Sequence, residues 1–318
     1  MQVFRSLGDI PSDFGPTVVS IGNFDGVHLG HRFVLGRLRQ SAAARSARSV
    51  AVTFDPHPLR FLRPESCPRL ITPLGTRLEL LGDAGADAVL VLPFSQTLSR
   101  MRAAEFVTTI VRDALRSVEV HEGANFRFGY RAEGGISELG DLGRALGFEV
   151  VIHPPRQVRG FTVSSSKIRE LLSLGDLRTA RALLGHGFFV DSTSAIGRGI
   201  GGRLTVPTVN LAPYEDLLPP NGVYVTRLRI AEEWFDAVTN IGNRPTFGPD
   251  SFAVESHLLN FRPVPLEPQT PLRLQFCRRL REERRWPSPE ALKEQILRDV
   301  AQAQRYLRLT RVLGKPRT

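Results

Sequence analysis

A chain of 318 residues, 42% apolar and 23% charged, is long enough for two ordinary globular domains and has the composition of a soluble protein. It holds no apolar run of about 18 residues, and its N-terminus, MQVFRSLGDIPSDFG, lacks the apolar stretch of a signal peptide, so neither a membrane span nor a secretory leader is expected. The net charge of +10 favours anionic partners, but the basic residues are scattered rather than massed among aromatics, which argues against nucleic acid, and the distant pair Cys67 and Cys277 argues for a reducing, cytoplasmic compartment.

The first half alternates strand-like and helix-like patterns. TVVSI (17–21) reads as a strand, followed by a helical pattern from His31 to Arg48 with Val34, Leu38 and Ala42 on one face. SVAVTF (49–54) is the next strand, then a helix from Thr76 to Leu81 and the strand DAVLVLPF (87–94). A helix from Ala103 to Leu115 carries Phe106, Ile110 and Ala114 on one stripe. SVEV (117–120), a helix from Glu138 to Leu146 closed by Gly147, and EVVIH (149–153) complete the series. Such alternation predicts βαβ units in a parallel sheet covered on both faces. Ligands in such sheets sit at the carboxyl ends of strands, where the strand order switches.

Residues 164–185 read as two short helices. Ser164, Ser165 and Ser166 offer cap hydroxyls, Gly175 breaks the pattern, Asp176 recaps it and Gly185 ends it. Beyond Gly187, six strand-like segments follow without a helix between them: GFFVDST, TVPTVNL, GVYVTRLRI, FDAVTNIG, FAVESHLLN and LRLQF. They predict an antiparallel sheet or small barrel. A last helix is capped by Ser288 with Pro289 behind it, and its stripe is Leu292, Ile296, Val300, Ala303 and Leu307. The division is placed at 185/186, giving domains 1–185 and 186–318.

SIGNFDGVHLGHR (20–32) lies where the first strand becomes a helix. Glycines such as Gly22 and Gly30 let backbone approach a polyphosphate, and a helix N-terminus carries unpaired N–H groups and about half a positive charge. His28 and His31 are one turn apart and can address the same point. Imidazoles there could donate to a phosphoryl group as charge builds on its oxygens. Spacing alone leaves open a phosphate site, a metal pair still lacking a third ligand, or a capped turn with incidental histidines.

GNFDGVHLGH resembles the HxGH signature of nucleotidyltransferases, in the form carried by bacterial bifunctional riboflavin kinase/FMN adenylyltransferases (FAD synthetases). TFDPHP (53–58), GANFRFGYRAEGG (123–135) and VSSSKIRELL (163–172) resemble that family's next motifs, in order. The resemblance implies transfer of AMP from ATP to FMN. His28 and His31 would stabilise the α-phosphate, and Ser164, Ser165 and Arg169 would bind the departing phosphates. Gly22, Asn23, Phe24, Asp25 and Gly30 would shape the nucleotide pocket. Asn125 would contact a nucleotide or flavin phosphate, and Phe54, His57, Phe126 and Arg127 would line the flavin side. Read without that context, the serines are a helix cap and the phenylalanines ordinary core.

In GRGIGGRLTVPTVNL (197–211), Thr208 and Asn210 alternate in a strand and so share a face. A hydroxyl and an amide oxygen are hard ligands suited to Mg²⁺ with water and phosphate; two polar residues on a wet strand face is the plainer alternative. The segment resembles the riboflavin kinase motif, and NGVYVTRL (221–228), TNIGNRPTFG (239–248) and VESHLLNF (254–261) resemble its successors. The resemblance implies that Gly199, Gly202 and Arg203 bind nucleotide and that Thr208 and Asn210 hold Mg²⁺. It makes Glu255 the base for the riboflavin 5′-hydroxyl and puts Asn243 and Arg244 against the flavin. Thr205-Val206, Asn260 and the proline-rich 262–271 loop depart from the family pattern. They bear on flavin affinity and closure of the kinase site, not on the fold.

The implied architecture is a parallel α/β, Rossmann-like HxGH domain joined to a six-stranded antiparallel β-barrel with a terminal helix, the strand count coming from the resemblance. The implied ligands are ATP, Mg²⁺, riboflavin, FMN and FAD, with no membrane or nucleic acid; a homo-oligomer stays open. Two rivals remain at this level: a chain in which only one activity survives, and a non-catalytic flavin or nucleic-acid binding module on the same scaffold.

Overall fold

The computed structural model describes residues 1–195, 208–243, 252–259, 266–267 and 269–313. The chain divides into two units, Met1–Lys167 and Ile168–Thr318.

The first unit is built on six strands: β1 Gln2–Phe4, β2 Thr17–Ile21, β3 Arg48–Asp55, β4 Ala88–Pro93, β5 Ser117–Gly123 and β6 Glu149–His153. Their order is β1-β4-β3-β2-β5-β6, and every pairing is parallel. The helices are α1 Leu29–Ala44, α2 Pro58–Leu62, α3 Leu74–Asp83, α4 Gln96–Arg100, α5 Ala103–Phe106 and α6 Ile136–Leu146. A two-stranded hairpin, β7 Gln157–Val158 and β8 Phe161–Thr162, follows β6. All five residues of β2 are buried, as a central parallel strand covered on both faces requires. The short elements β1, α2 and α4 escaped the sequence pattern because three to five residues carry no readable periodicity.

The chain runs β2, β3, β4 in one direction and then returns to the other side of β2 for β5 and β6. The strand order therefore reverses between β2 and β5. Their pairing ends at Val19–Val120, so the two strands part before their carboxyl ends. In that gap Ile21 N–H donates to Glu122 Oε1 at 2.6 Å, a side chain standing in for the missing strand carbonyl. Burial raises the Glu122 carboxyl well above its ordinary range.

Two expected helices shift. His28 caps α1, so the helix opens two residues before His31; Ser46 at φ 51 ends it, and Arg48 belongs to β3. Its buried stripe is Leu35, Leu38 and Ala42, with Val34 only half-buried. α5 continues as a π-helix, Val107–Ala114, in which Leu115 N–H reaches back to Ile110 O at 3.0 Å. Closing each ring one residue later rotates the stripe, so Leu115 is buried where Ala114 was expected.

A buried polar network ties α1 to β5. Ser41 Oγ donates to Glu119 Oε1 at 2.6 Å, His121 Nε2 meets the same oxygen, and Arg45 Nη2 pairs with Oε2 at 2.5 Å. Burial pushes this carboxyl up, but Ser41, His121 and Arg45 outweigh it and hold it below the usual range. Its stabilising contribution is thus present at neutral pH and fades as pH falls through its folded pKa. We expect Glu119→Gln to lower the stability of the first unit by about 1–3 kcal/mol at pH 7, because a hydrogen bond to a charged group is lost. The deficit should shrink below about pH 4, where the unfolded carboxyl is itself protonated; urea unfolding at the two pH values checks this.

Helices α7 Ser165–Ser173 and α8 Leu177–Leu184 precede the strands of the second unit. Asp176 caps α8 by accepting from Thr179 N–H at 3.0 Å, and Gly185 ends it at φ 80, as the sequence suggested. The 167/168 division puts α8 in the second unit, where it packs on the strand Pro271–Arg281; the 185/186 boundary would put it in the first. The strands are β9 Phe189–Thr193, β10 Thr208–Asn210, β11 Gly222–Ile230, β12 Glu233–Asn243, β13 Phe252–Leu259 and β14 Pro271–Arg281. They pair antiparallel in the order β10-β13-β12-β11-β14-β9. The two edges meet at the Ser194–Leu211 bridge, where Ala212 N–H donates to Thr193 O at 2.8 Å, curling the sheet into a six-stranded barrel. Inside, Thr226, Thr239 and Ser256 form a hydroxyl ladder at 2.7 and 2.8 Å, which satisfies three buried oxygens.

The terminal helix, α9 Pro289–Leu313, outruns the face it covers. Ala303 and Leu307 are buried against Val225 and Leu259, but Leu292 and Ile296 of the expected stripe are exposed.

Candidate active sites

The turn after β2 stands at the switch point. Phe24 (φ 48) and Val27 (φ 36) are non-glycine residues in the left-handed region, a strain that surrounding bonds must hold. Asp25, 1% exposed, accepts from Ile71 N–H (3.1 Å), Thr72 N–H (2.9 Å) and Thr72 Oγ1 (3.1 Å). Gly26 N–H donates to Thr72 Oγ1 at 2.8 Å, and Ser165 Oγ donates to Asp25 O at 2.9 Å. The Asp25 carboxylate therefore anchors the loop. On the opposite flank Arg77, from α3 and also 1% exposed, donates through Nη1 to Asn23 O (3.1 Å), Thr53 Oγ1 (3.1 Å) and Phe54 O (3.2 Å).

His28 is the N-cap of α1: its Nδ1 accepts from His31 N–H at 3.3 Å, which leaves the proton of the neutral ring on Nε2. The two imidazoles stack with centroids 3.6 Å apart and planes 11° from parallel, and the Phe24 ring meets His31 at 5.2 Å with planes at 68°. His31 Nδ1 is buried and, among the described residues, has no hydrogen-bond partner. Burial first, then the charges of His28 and Arg77, hold His31 well below the ordinary histidine range, so it is neutral near pH 7. The pair thus sets a neutral His31, with a ring nitrogen left for something else, against the capping ring of His28 at a helix N-terminus.

Gly30 is needed by His28. A Cβ there would lie 3.1 Å from His28 Cε1 and 3.2 Å from Nδ1. Alanine would push the ring off its cap, a loss of about 0.5–2 kcal/mol. It would also gain about 1 kcal/mol of helix propensity. We expect Gly30→Ala to melt within a few degrees of the native chain yet to lose about tenfold or more in the reaction served by the pair.

Ser164 Oγ accepts from Lys167 N–H at 3.2 Å as the cap of α7, and Ser165 holds Asp25 O. Ser165 has spent its proton on Asp25 O, whereas Ser164 only accepts and keeps its own O–H beside the helix N-terminus for an anion. Arg169 follows four residues after Ser165 on the same helix.

At the ends of β3 and β4, half-buried Phe54 meets Phe94 edge-on at 5.9 Å, and Phe61, 43% exposed, meets Phe94 at 5.9 Å. His57 follows the cis Asp55–Pro56 peptide and caps α2 by accepting from Leu59 N–H at 3.2 Å. Phe126 stacks on buried Phe128 at 5.4 Å and leans on the core, whereas Asn125 and Arg127 are exposed. Sequence reasoning missed Arg77, Glu122, Phe61 and Phe94. A lone Arg in TRLELL and the second Glu of SVEVHEG carry no motif; Phe61, on a helix of only five residues beside TFDPHP, was the most findable.

In the second unit, β10 and β13 pair Thr208 with His257 and Asn210 with Glu255. These four side chains share one face, opposite Val209 and Ser256, which point into the barrel and are buried. Across β12, Glu255 also pairs with Asn240, so Asn210, Glu255 and Asn240 stand in a row over three strands. Asn240 was not anticipated. Burial lowers His257 below its usual range. Gly199, Gly202, Arg203 and Arg244 lie outside the described residues, as does the side chain of Asn243.

Among the described residues, no group of three or more His, Cys, Asp or Glu side chains could hold a metal ion. That rules out a cage built from those side chains there. It suits Mg²⁺, which keeps waters and substrate phosphates and takes one or two hard oxygens, such as those of Thr208 and Asn210. No helix among these residues is long and apolar enough to cross a membrane.

A family model for FAD synthetase matches residues 10–167, and one for riboflavin kinase matches residues 184–307. The chain is 36% identical to a bifunctional riboflavin kinase/FMN adenylyltransferase of Pseudomonas fluorescens, over 95% of this chain and 97% of that one. A protein of the same name from Escherichia coli is 31% identical over 92% and 94%. A solved structure described as a macrolide-efflux protein from Streptococcus pneumoniae superposes with a TM-score of 0.82 at 24% identity, over 95% and 98%, a likeness of fold alone. With both models in order and relatives matched nearly end to end, the chain belongs to the bifunctional riboflavin kinase/FMN adenylyltransferase family.

Proposed function

We propose that this chain phosphorylates riboflavin to FMN in its second unit and joins FMN to AMP in its first, using ATP for both. The observation that carries the second reaction is the stacked His28–His31 pair, with a buried ring nitrogen unfilled at the switch point. An FMN phosphate oxygen attacks the α-phosphorus of ATP, the bond to the bridging oxygen breaks, and pyrophosphate leaves. Charge builds on the α-phosphate oxygens. The neutral His31 ring donates to it without first giving up a charge of its own, and a pre-set donor of this kind is worth about 10²- to 10³-fold. The N-terminus of α7 and Arg169 take the departing phosphates. Phe54, Phe61 and Phe94 offer the aromatic wall for an isoalloxazine ring.

In the kinase reaction the riboflavin 5′-oxygen attacks the γ-phosphorus, ADP leaves, and Glu255 takes the hydroxyl proton. Thr208 and Asn210 would hold Mg²⁺ together with the nucleotide, where it would neutralise phosphate charge. Asn240, beside Glu255, orients the carboxylate or the hydroxyl. A cytoplasmic setting fits the two free thiols, Cys67 and Cys277, the latter pushed by burial to about 11.

The test is product separation after incubating the chain with ATP and Mg²⁺. Riboflavin should yield FMN and then FAD, and FMN supplied alone should yield FAD. A chain that leaves FMN untouched sinks the first-unit assignment; one that leaves riboflavin untouched sinks the second.

A further inference from the structure

We propose that Arg77 is a positioning residue for AMP transfer, fixing the nucleotide loop and the flavin loop at one separation. The proposal rests on the reading of the first unit given above. Arg77 is among the most deeply buried side chains of the chain, on an α3 face that otherwise packs Leu80 and Leu81. Burying a guanidinium costs far more than burying the leucine or methionine that would fill the same space. Its retention calls for a task that an apolar side chain cannot do.

The bonds show that task. All three leave from the two N–H groups of one nitrogen, Nη1, one of them shared between acceptors, and they end on two different segments. Asn23 O lies on the turn that leads to His28 and His31. Thr53 Oγ1 and Phe54 O lie at the end of β3, just before the cis Asp55–Pro56 peptide and His57. Thr53 Oγ1 also donates to Asn23 O at 3.3 Å, so the two segments share a second, weaker tie at the same point. One segment carries the imidazoles for the ATP α-phosphate, the other the aromatic wall for the flavin. The reaction joins a phosphate from each side. Its reacting atoms must stand about 3–3.5 Å apart, and an error of about 1 Å costs on the order of 100-fold in rate. A single buried donor that grips both segments sets that distance. The guanidinium also adds its charge to the surroundings that keep His31 neutral.

The experiment compares Arg77→Met, Arg77→Lys and His31→Ala in the full chain. FAD formation is measured as kcat and as KM for ATP and for FMN, urea unfolding reports folding of the first unit, and riboflavin phosphorylation in the same preparation reports the second. For Arg77→Met we expect kcat for FAD formation to fall about 100-fold, both KM values to stay within about threefold, and FMN formation to stay native. Arg77→Lys should recover only part of the loss, to about tenfold below native, since one ammonium reaches for the same three acceptors from slightly further back. Arg77→Met with kcat within about threefold of native overturns the proposal, as does a rise in KM with kcat intact. If Arg77→Met fails to fold and loses both activities, Arg77→Lys decides: a lowered kcat with unchanged KM supports the role, and a native kcat refutes it. A His31→Ala chain that keeps its FAD rate defeats the site reading itself. Loss in His31→Ala with none in the Arg77 variants defeats only this proposal.

Discussion

His31→Ala should lose about 10²- to 10³-fold in kcat for FAD formation while making FMN at the native rate. The size follows from what the ring supplies. Its Nδ1 is buried and unfilled among the described residues, its plane is set by the His28 stack and the Phe24 edge, and its charge state is settled by burial. Such a donor needs no reorganisation as the transition state forms, which is where its advantage over water lies. A stability signature accompanies it. The folded pKa of His31 lies below the unfolded value of about 6.5, so the unfolded state binds more protons on acidification. Native stability therefore falls as pH drops from about 7 towards 5, and His31→Ala should remove that part of the slope. Quenched-flow FAD assays and urea titrations at stepped pH check both. An unchanged FAD rate in the variant would leave the histidine pair with a structural role only.

Glu255→Ala should abolish riboflavin phosphorylation by about 10²- to 10⁴-fold, the usual weight of a general base, and leave FAD formation from supplied FMN intact. The side chain lies on the outer face of β13, between Asn210 and Asn240, while the strand's inward residues Val254, Ser256 and Leu258 are buried in the barrel. Its removal therefore costs the barrel little packing. Neighbouring His257, kept neutral by burial, shares that face but pairs with Thr208 and Val238, one step along the strand. If Glu255→Ala makes FMN at the native rate, the proton goes elsewhere and His257 becomes the next residue to change.

Periodicity was a good guide wherever an element was long or doubly buried. The five apolar strands of the first unit and the six segments beyond Gly187 all became strands, because period-two and all-apolar runs report directly on which faces are covered. It failed where geometry departed from the ideal repeat, as at the π-turns after Phe106, or where packing stopped short, as along α9. Motif residues were legible as chemistry, but their bonds were not. Asp25 and Ser165 stood out as nucleotide contacts, and both hold the loop in shape.

The sequence by itself determined the fold class, the family and the two histidines, since turn glycines, capping residues and ordered motifs are local and leave their mark on the chain. Only the tertiary structure decided what stands beneath those motifs. Arg77 lies 54 residues from Asn23 and Glu122 lies 101 residues from Ile21 along the chain, yet each supplies the hydrogen bond that shapes the same loop. Nothing local announces such pairs, because a buried polar side chain is explained only by the partners that the fold brings to it.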